Sequence, residues 1–144
     1  MNIGRQDINA TIPHRYPFLF IDRVIELEPG VRAAGLMNIT ADSPFAGMGK
    51  AGCFPQLLLI EALAQLGAVA GAAGVKAGCA GPGYLAAMTD VKFGRRPVVG
   101  DSILLVAEHR AKMGQLVMFN ATAEIDGEAA AEATLTFSLP GAIR

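Results

Sequence analysis

The sequence predicts an α+β domain in which one long buried helix is enclosed by a strongly curved antiparallel sheet, and three observations carry that reading. Residues 53–74, CFPQLLLIEALAQLGAVAGAAG, are almost uninterruptedly apolar, and a helix that is apolar all round has to be surrounded by the rest of its fold. The chain after it breaks into β-rich segments parted by glycine-containing turns, the pattern of hairpin-linked strands. A further hairpin pattern stands before it, so strands flank a single helix.

In chain order, residues 1–17 read as a lead-in. Asp7 or Asn9 can cap a turn there, and Pro13 and Pro17 keep a helix from continuing. Residues 18–27, FLFIDRVIEL, are rich in β-formers, and residues 32–40, RAAGLMNIT, continue them after the Pro29-Gly30 turn. Residues 41–54 hold three glycines and a proline without a period, which predicts a loop feeding the long helix. Pro55 suits the first helical position, where its missing N–H costs nothing, and Gly74 is available as a stop. A helix over 55–73 would span about 28 Å. Its second half (Gly67, Ala68, Ala70, Gly71, Ala72, Ala73) is made of small residues that let another backbone approach closely.

After a Gly/Pro break at residues 77–83, strands are expected over 84–93, 103–112, 116–125 and 129–139. Residues 95–100 turn the chain between the first two, and Gly114 and Asp126-Gly127 mark the hairpins that follow. An exposed edge strand would favour dimerisation by continuing the sheet.

Length and composition bound what such a domain can do. The 144 residues suit one domain over 1–144. Hydrophobic residues make up 52% and charged ones 17%, which is too apolar for disorder and points to an oligomer interface or a lipophilic ligand cavity. With a formal net charge of −1 there is no basic stripe to release counterions from phosphates, so no nucleic-acid partner is expected. Cys53 and Cys79 do not make a metal site, and the N-terminal MNIGRQDINA has no apolar stretch. Reduced thiols in a cytoplasmic protein are expected. The long helix has the length of a membrane span, but Glu61 and Gln65 near its middle favour a core helix and no membrane.

Those two polar residues are the first functional signal. At i and i+4 they share a helix face, and a lone carboxylate in apolar surroundings is costly unless partnered. The plainer alternative is a Glu61 at the rim of the helix, in solvent.

Four segments then carry a resemblance: IPHRYPFLFIDRVIELEPG (12–30), FPQLLLIEALAQ (54–65), DVKFGRRPVVGD (90–101) and AEATLTFSLPG (131–141). Nearly end to end, in order and spacing, the chain resembles the FabZ-type 3-hydroxyacyl-acyl-carrier-protein dehydratases of fatty-acid biosynthesis. The resemblance implies the hotdog fold, a long central helix wrapped by an antiparallel sheet, and a homodimer or trimer of dimers with acyl tunnels between protomers. It implies no cofactor and no metal, and a substrate that is an acyl carrier protein or CoA thioester.

In that family a loop histidine removes the α-proton of the thioester, a helix glutamate from the neighbouring protomer helps the β-hydroxyl leave, and a helix-start N–H polarises the carbonyl. Glu61 matches the family's carboxylate and Gln65 the glutamine four residues on. The histidine has no match: its position falls on Gly47 counted back from Glu61, or on Gly49 counted forward from Pro44-Phe45, and the chain has no histidine between His14 and His109. Gln56 replaces a glycine at the carbonyl-binding end. By the same resemblance Phe54 and Tyr84 stand at the pocket wall, and Lys92, Arg95 and Arg96 near the tunnel mouth, where they would meet the acidic carrier or the phosphopantetheine phosphate. Aromatics in a core and basic residues at a solvated strand end are the plainer readings. His14, in PHRYPF, is expected to be positional more than basic.

Three functions follow as expectations. The first is dehydration by a modified mechanism built on Glu61. The second is acyl thioester hydrolysis, with Glu61 as base or nucleophile. The third is a non-catalytic hotdog subunit that binds an acyl chain or pairs with an active paralogue.

Overall fold

The computed structural model describes residues 5–74 and 83–139. The order of elements is α1 (Arg5–Thr11), β1 (Arg23–Glu28), β2 (Arg32–Asn38), a 3-10 turn (Lys50–Gly52), α2 (Leu57–Ala73), β3 (Tyr84–Phe93), β4 (Ser102–Met113), β5 (Leu116–Ile125) and β6 (Glu128–Ser138). The six strands form one antiparallel sheet in the order β1-β2-β4-β5-β6-β3. Its inner face, carrying Ala33, Met37, Ile103, Leu105, Phe119, Ala121, Leu135 and Phe137, closes on α2 in one continuous core. This is the hotdog arrangement that the segments of the sequence imply.

The strands after the helix follow the sequence closely. Over 84–93 and 116–125 the bounds coincide with those expected, and β4 and β6 differ by about one residue at their ends. The expected break at 77–83 lies, apart from Gly83, outside the described residues; so does Cys79.

Strand β2 ends at Asn38, two residues early, and α2 starts at Leu57 with Gln56 as its cap, so Pro55 precedes the helix instead of opening it. Two larger departures occur before the helix. The lead-in contains a helix, α1, which buries Ile8 while Ile12 is buried just after it. Arg15 then folds its guanidinium back onto the carbonyls of Ile12, His14 and Asn9, which anchors the chain as it leaves α1. The first strand also begins five residues later than expected, at Arg23. The reason is local: the Phe20 N–H donates to Gln65 Oε1 at 2.9 Å and the Phe18 carbonyl accepts from Gln65 Nε2 at 2.7 Å. A helix side chain therefore satisfies backbone groups that a strand partner would otherwise take.

The small residues of α2 have specific contacts. A Cβ on Gly67 would lie 2.8 Å from the Phe137 ring, and one on Gly71 2.8 Å from Leu139 Cδ1. Gly74 ends the helix with φ −86°, so its lack of a side chain serves close packing and not a left-handed turn. Its Cα stands against Gly30, whose φ of +73° shapes the β1–β2 turn, and the Gly30 N–H caps the Ala70 carbonyl at 2.9 Å.

Candidate active site

Along α2 the residues that are not buried are Leu57, Leu58, Glu61, Ala68, Ala72 and Ala73. Leu57, Glu61, Ala68 and Ala72, with the nearly covered Ala64 between them, follow the i, i+4, i+7 spacing of a single stripe. The sheet encloses the rest of the helix. The N-terminal part of this stripe, Leu57, Glu61 and Ala64, lines a cleft of about 260 Å³ together with Phe18, Leu58, Ile60, Leu85 and Met88. Glu61 is the one ionisable lining residue in an otherwise apolar wall. Leu57 is the first residue of α2, so the positive end of the helix meets the same cleft, although the Leu58 and Leu59 N–H groups already donate to the Pro55 and Gln56 carbonyls at 3.1 and 3.0 Å.

Three groups from the chain's own first twenty residues and from α2 hold the Glu61 region. Gln65 Nε2 lies 3.2 Å from Glu61 Oε1 while also bonding the Phe18 carbonyl. His14 Nε2 stands 3.3 Å from the same Oε1. The two side chains are 35% and 32% exposed, so the pair is neither sealed nor free in solvent; Glu61 lines the cleft and His14 stands behind it, outside the lining. His14 Nδ1, by contrast, is buried without a partner among the described residues.

The loop before the helix is closed on itself. The Gly49 N–H donates to the Cys53 carbonyl at 2.7 Å, and Ala51 holds a left-handed φ of 56°. A Cβ on Gly49 would fall 2.6 Å from the Cys53 carbonyl oxygen and 2.8 Å from the Phe54 carbonyl carbon, with no room for it. Gly47 is open, its nearest neighbour 3.7 Å from such a Cβ, but its φ is +75°. Neither glycine accepts a histidine side chain without rearrangement or strain.

The remaining expected site residues are placed as follows. Gln65 is 1% exposed and commits its amide to Phe18, Phe20 and Glu61; it is a clamp inside the protein and does not reach the cleft. Phe54 is buried against Phe20, with ring centroids 6.3 Å apart, in an aromatic group completed by Phe18 and Phe45. Gln56 donates to the Gly94 carbonyl at 3.2 Å, which ties the helix start to the β3–β4 connection, as does the Phe54 N–H on the Pro97 carbonyl. Tyr84 is 64% exposed at the start of β3. Of the basic trio, Lys92 lies 3.7 Å from Glu132, and Arg95 stands 3.5–3.9 Å from Asp101, Asp126 and Glu128. Arg96 is exposed with no carboxylate paired to it among the described residues. The cleft-lining Phe18, Leu85 and Met88 were not singled out from the sequence, because nothing in a run of β-forming residues marks which one lies over a helix stripe.

No helix of the described residues is long and apolar enough to cross a membrane, and no group of three metal-ligating side chains gathers among them.

A curved antiparallel sheet wound round one helix, with a carboxylate on the helix face that the sheet leaves open, defines a hotdog-fold protein with an apolar cleft. The chain belongs to the ApeP-like dehydratase family, whose model matches residues 6–143. It is 38% identical over 136 residues to a 3-hydroxyacyl-[acyl-carrier-protein] dehydratase FabZ of Exiguobacterium sibiricum, covering 93% of this chain and 96% of that enzyme. To the FabZ of Clostridium novyi it is 39% identical over 143 residues, covering 96% and 99%. Among solved structures it resembles the dehydratase heterocomplex ApeI:P from Xenorhabdus doucetiae with a TM-score of 0.76 over 92% of this chain and 90% of that one. At 17% identity that likeness speaks for the fold alone.

Proposed function

We propose that this chain is a subunit of a 3-hydroxyacyl thioester dehydratase that presents Glu61 to a carrier-bound acyl chain, while a second hotdog chain supplies the base. The observation that carries this reading is the contrast between the helix and the loop before it. The carboxylate lines an apolar cleft and has its supports, while the resemblance puts the family's histidine at Gly47 or Gly49, and main chain fills the space at Gly49.

Dehydration removes a proton from Cα, turns that electron pair into the Cα=Cβ bond, and breaks the Cβ–O bond so that the oxygen leaves as water. The partner's base takes the α-proton, and Glu61 gives the departing hydroxyl its proton through the free oxygen, Oε2. The positive end of the α2 dipole beside Leu57 favours the thioester oxygen as it gains charge. The acyl chain lies along Phe18, Leu58, Ile60, Leu85 and Met88.

Pairing is supported by the uncovered surface beside the cleft. Strand β3 is an edge of the sheet and exposes Tyr84, Met88, Val91 and Phe93, next to the small-residue stripe of α2; such a face buries itself against another chain. A dehydratase heterocomplex among the structural neighbours agrees with two unlike chains. A homodimer would leave every site without the base. Carrier docking through Lys92, Arg95 and Arg96 remains part of the proposal, with Arg96 as its main unbalanced charge.

Incubating 3-hydroxyacyl carrier protein with the purified chain, with a histidine-bearing hotdog homologue, and with the two co-expressed tests this by the 2-enoyl product. Product is expected from the complex and not from this chain alone. A second reading, autonomous dehydration with His14 as base, is favoured by the 3.3 Å contact to Glu61. It predicts full turnover by this chain alone. Hydrolysis would show instead as free thiol.

A further inference from the structure

We infer that His14 is a positioning residue that donates from Nε2 to Glu61 Oε1, fixes that oxygen, and leaves Oε2 to the substrate. The inference rests on the proposed use of Glu61 in dehydration. It begins with the two ring nitrogens, which have opposite surroundings. Nδ1 is buried without a partner, and Nε2 stands 3.3 Å from Glu61 Oε1. A proton on Nδ1 would be a buried donor with no acceptor, which costs the full desolvation of the group. A bare Nδ1 lone pair there costs less, so the ring carries its N–H on Nε2, directed at the carboxylate.

A general base needs the reverse arrangement, a lone pair facing the substrate. The nitrogen of His14 that faces Glu61 is the one bearing the proton, so His14 orients Glu61 instead of competing with it. At 3.3 Å the contact is close but not aligned as an N–H···O bond, and contacts of this kind tighten when substrate arrives.

The backbone around His14 is built to hold it. Arg15 binds the carbonyls of Asn9, Ile12 and His14 itself, and Gln65 clamps Phe18 and Phe20 four and six residues on. The segment 14–20 is thus tied to α1 on one side and to α2 on the other. Glu61 Oε1 accepts from Gln65 Nε2 along the helix and has His14 Nε2 3.3 Å away across it. With one donor bound and a second beside the same oxygen, the second oxygen is the one left to exchange a proton.

Two measurements test this and fail differently. The chain holds two histidines, so ¹⁵N-histidine NMR, with His109→Asn for assignment, reads the His14 tautomer directly. A protonated Nε2 whose resonance moves in Glu61→Gln is expected. A protonated Nδ1, or no response to Glu61→Gln, overturns the inference whatever the activity. In the turnover assay on the active assembly, His14→Ala is expected to lower kcat at least tenfold with KM within twofold. His14→Gln, which keeps a donor, should recover most of the rate, and His14→Ala added to Glu61→Gln should cost nothing more. Unchanged kcat in His14→Ala, or losses that multiply in the double variant, overturn it. Absence of product from every wild-type combination sinks the dehydratase reading, while the NMR result still decides what His14 does.

Discussion

The two flanks of the α2 N-terminus, the helix itself and the loop before it, are built in opposite ways. On the α2 side a carboxylate stands at an apolar wall with its supports intact: Gln65 beneath it, His14 beside it, and the 14–20 segment stapled to both. On the loop side, where the resemblance puts a dehydratase's histidine at Gly47 or Gly49, the chain turns so tightly from Gly49 to Cys53 that main chain occupies the space of a side chain on Gly49. Gln65 has a structural reason of its own, because it satisfies the Phe18 and Phe20 backbone groups. The proposal that Glu61 works with a base from another chain therefore rests on the carboxylate lining the cleft and on the His14 contact beside it.

The comparison can be broken at either flank. The largest effect is expected from Glu61→Gln, which keeps the shape and removes the proton transfer: about a 10²-fold or greater loss of enoyl product by the active assembly, with unchanged thermal unfolding. Next is Gln65→Leu, which strips the Phe20 N–H and Phe18 carbonyl of their partner. Denaturant unfolding should show about 2–4 kcal/mol of lost stability through a lower midpoint at constant slope. On the other flank, Gly49→His forces a side chain into the main chain of residues 53–54 and should cost about 1–3 kcal/mol. Gly47→His, in open space but at positive φ, should cost about 1–2 kcal/mol. Neither is expected to let this chain turn over substrate alone. Turnover by the lone Gly49→His variant would mean that the loop opens far more easily than its hydrogen bonds suggest. The smallest effect is Lys92→Ala: an exposed pair with Glu132 at 3.7 Å should be worth less than about 0.5 kcal/mol.

Much of the fold was legible because its signals are strong and local. The apolar run of α2, the alternation of 116–125 and the Asp126-Gly127 turn each dictate one structure. The start of the chain was less legible for a physical reason. FLFIDRVIEL has the composition of a strand throughout, yet its first residues give their backbone hydrogen bonds to a side chain 45–47 positions away, and no local pattern announces that. The same holds for α1, seven residues long and stabilised by burial of Ile8 more than by propensity.

In the site, Glu61 was legible as the one carboxylate in an apolar helix, and its nearness to Gln65 follows from i, i+4 spacing. The nearness of His14, 47 positions earlier, depends on how the lead-in packs and could be read only from coordinates. The charge balance of the trio was hidden likewise: Lys92 and Arg95 read as a basic patch until Glu132, Asp126 and Glu128 fold beside them.

The account turns on which chain supplies which half of the chemistry, and subunit complementation measures that. Two assemblies are compared with the unaltered one: this chain as Glu61→Gln with an intact histidine-bearing partner, and this chain intact with a partner whose loop histidine is replaced by alanine. The account predicts that each substitution alone reduces enoyl formation by about 10²-fold or more, because Glu61 and the partner's histidine serve one site. Full turnover in the Glu61→Gln assembly, or turnover by this chain with no partner present, would contradict it.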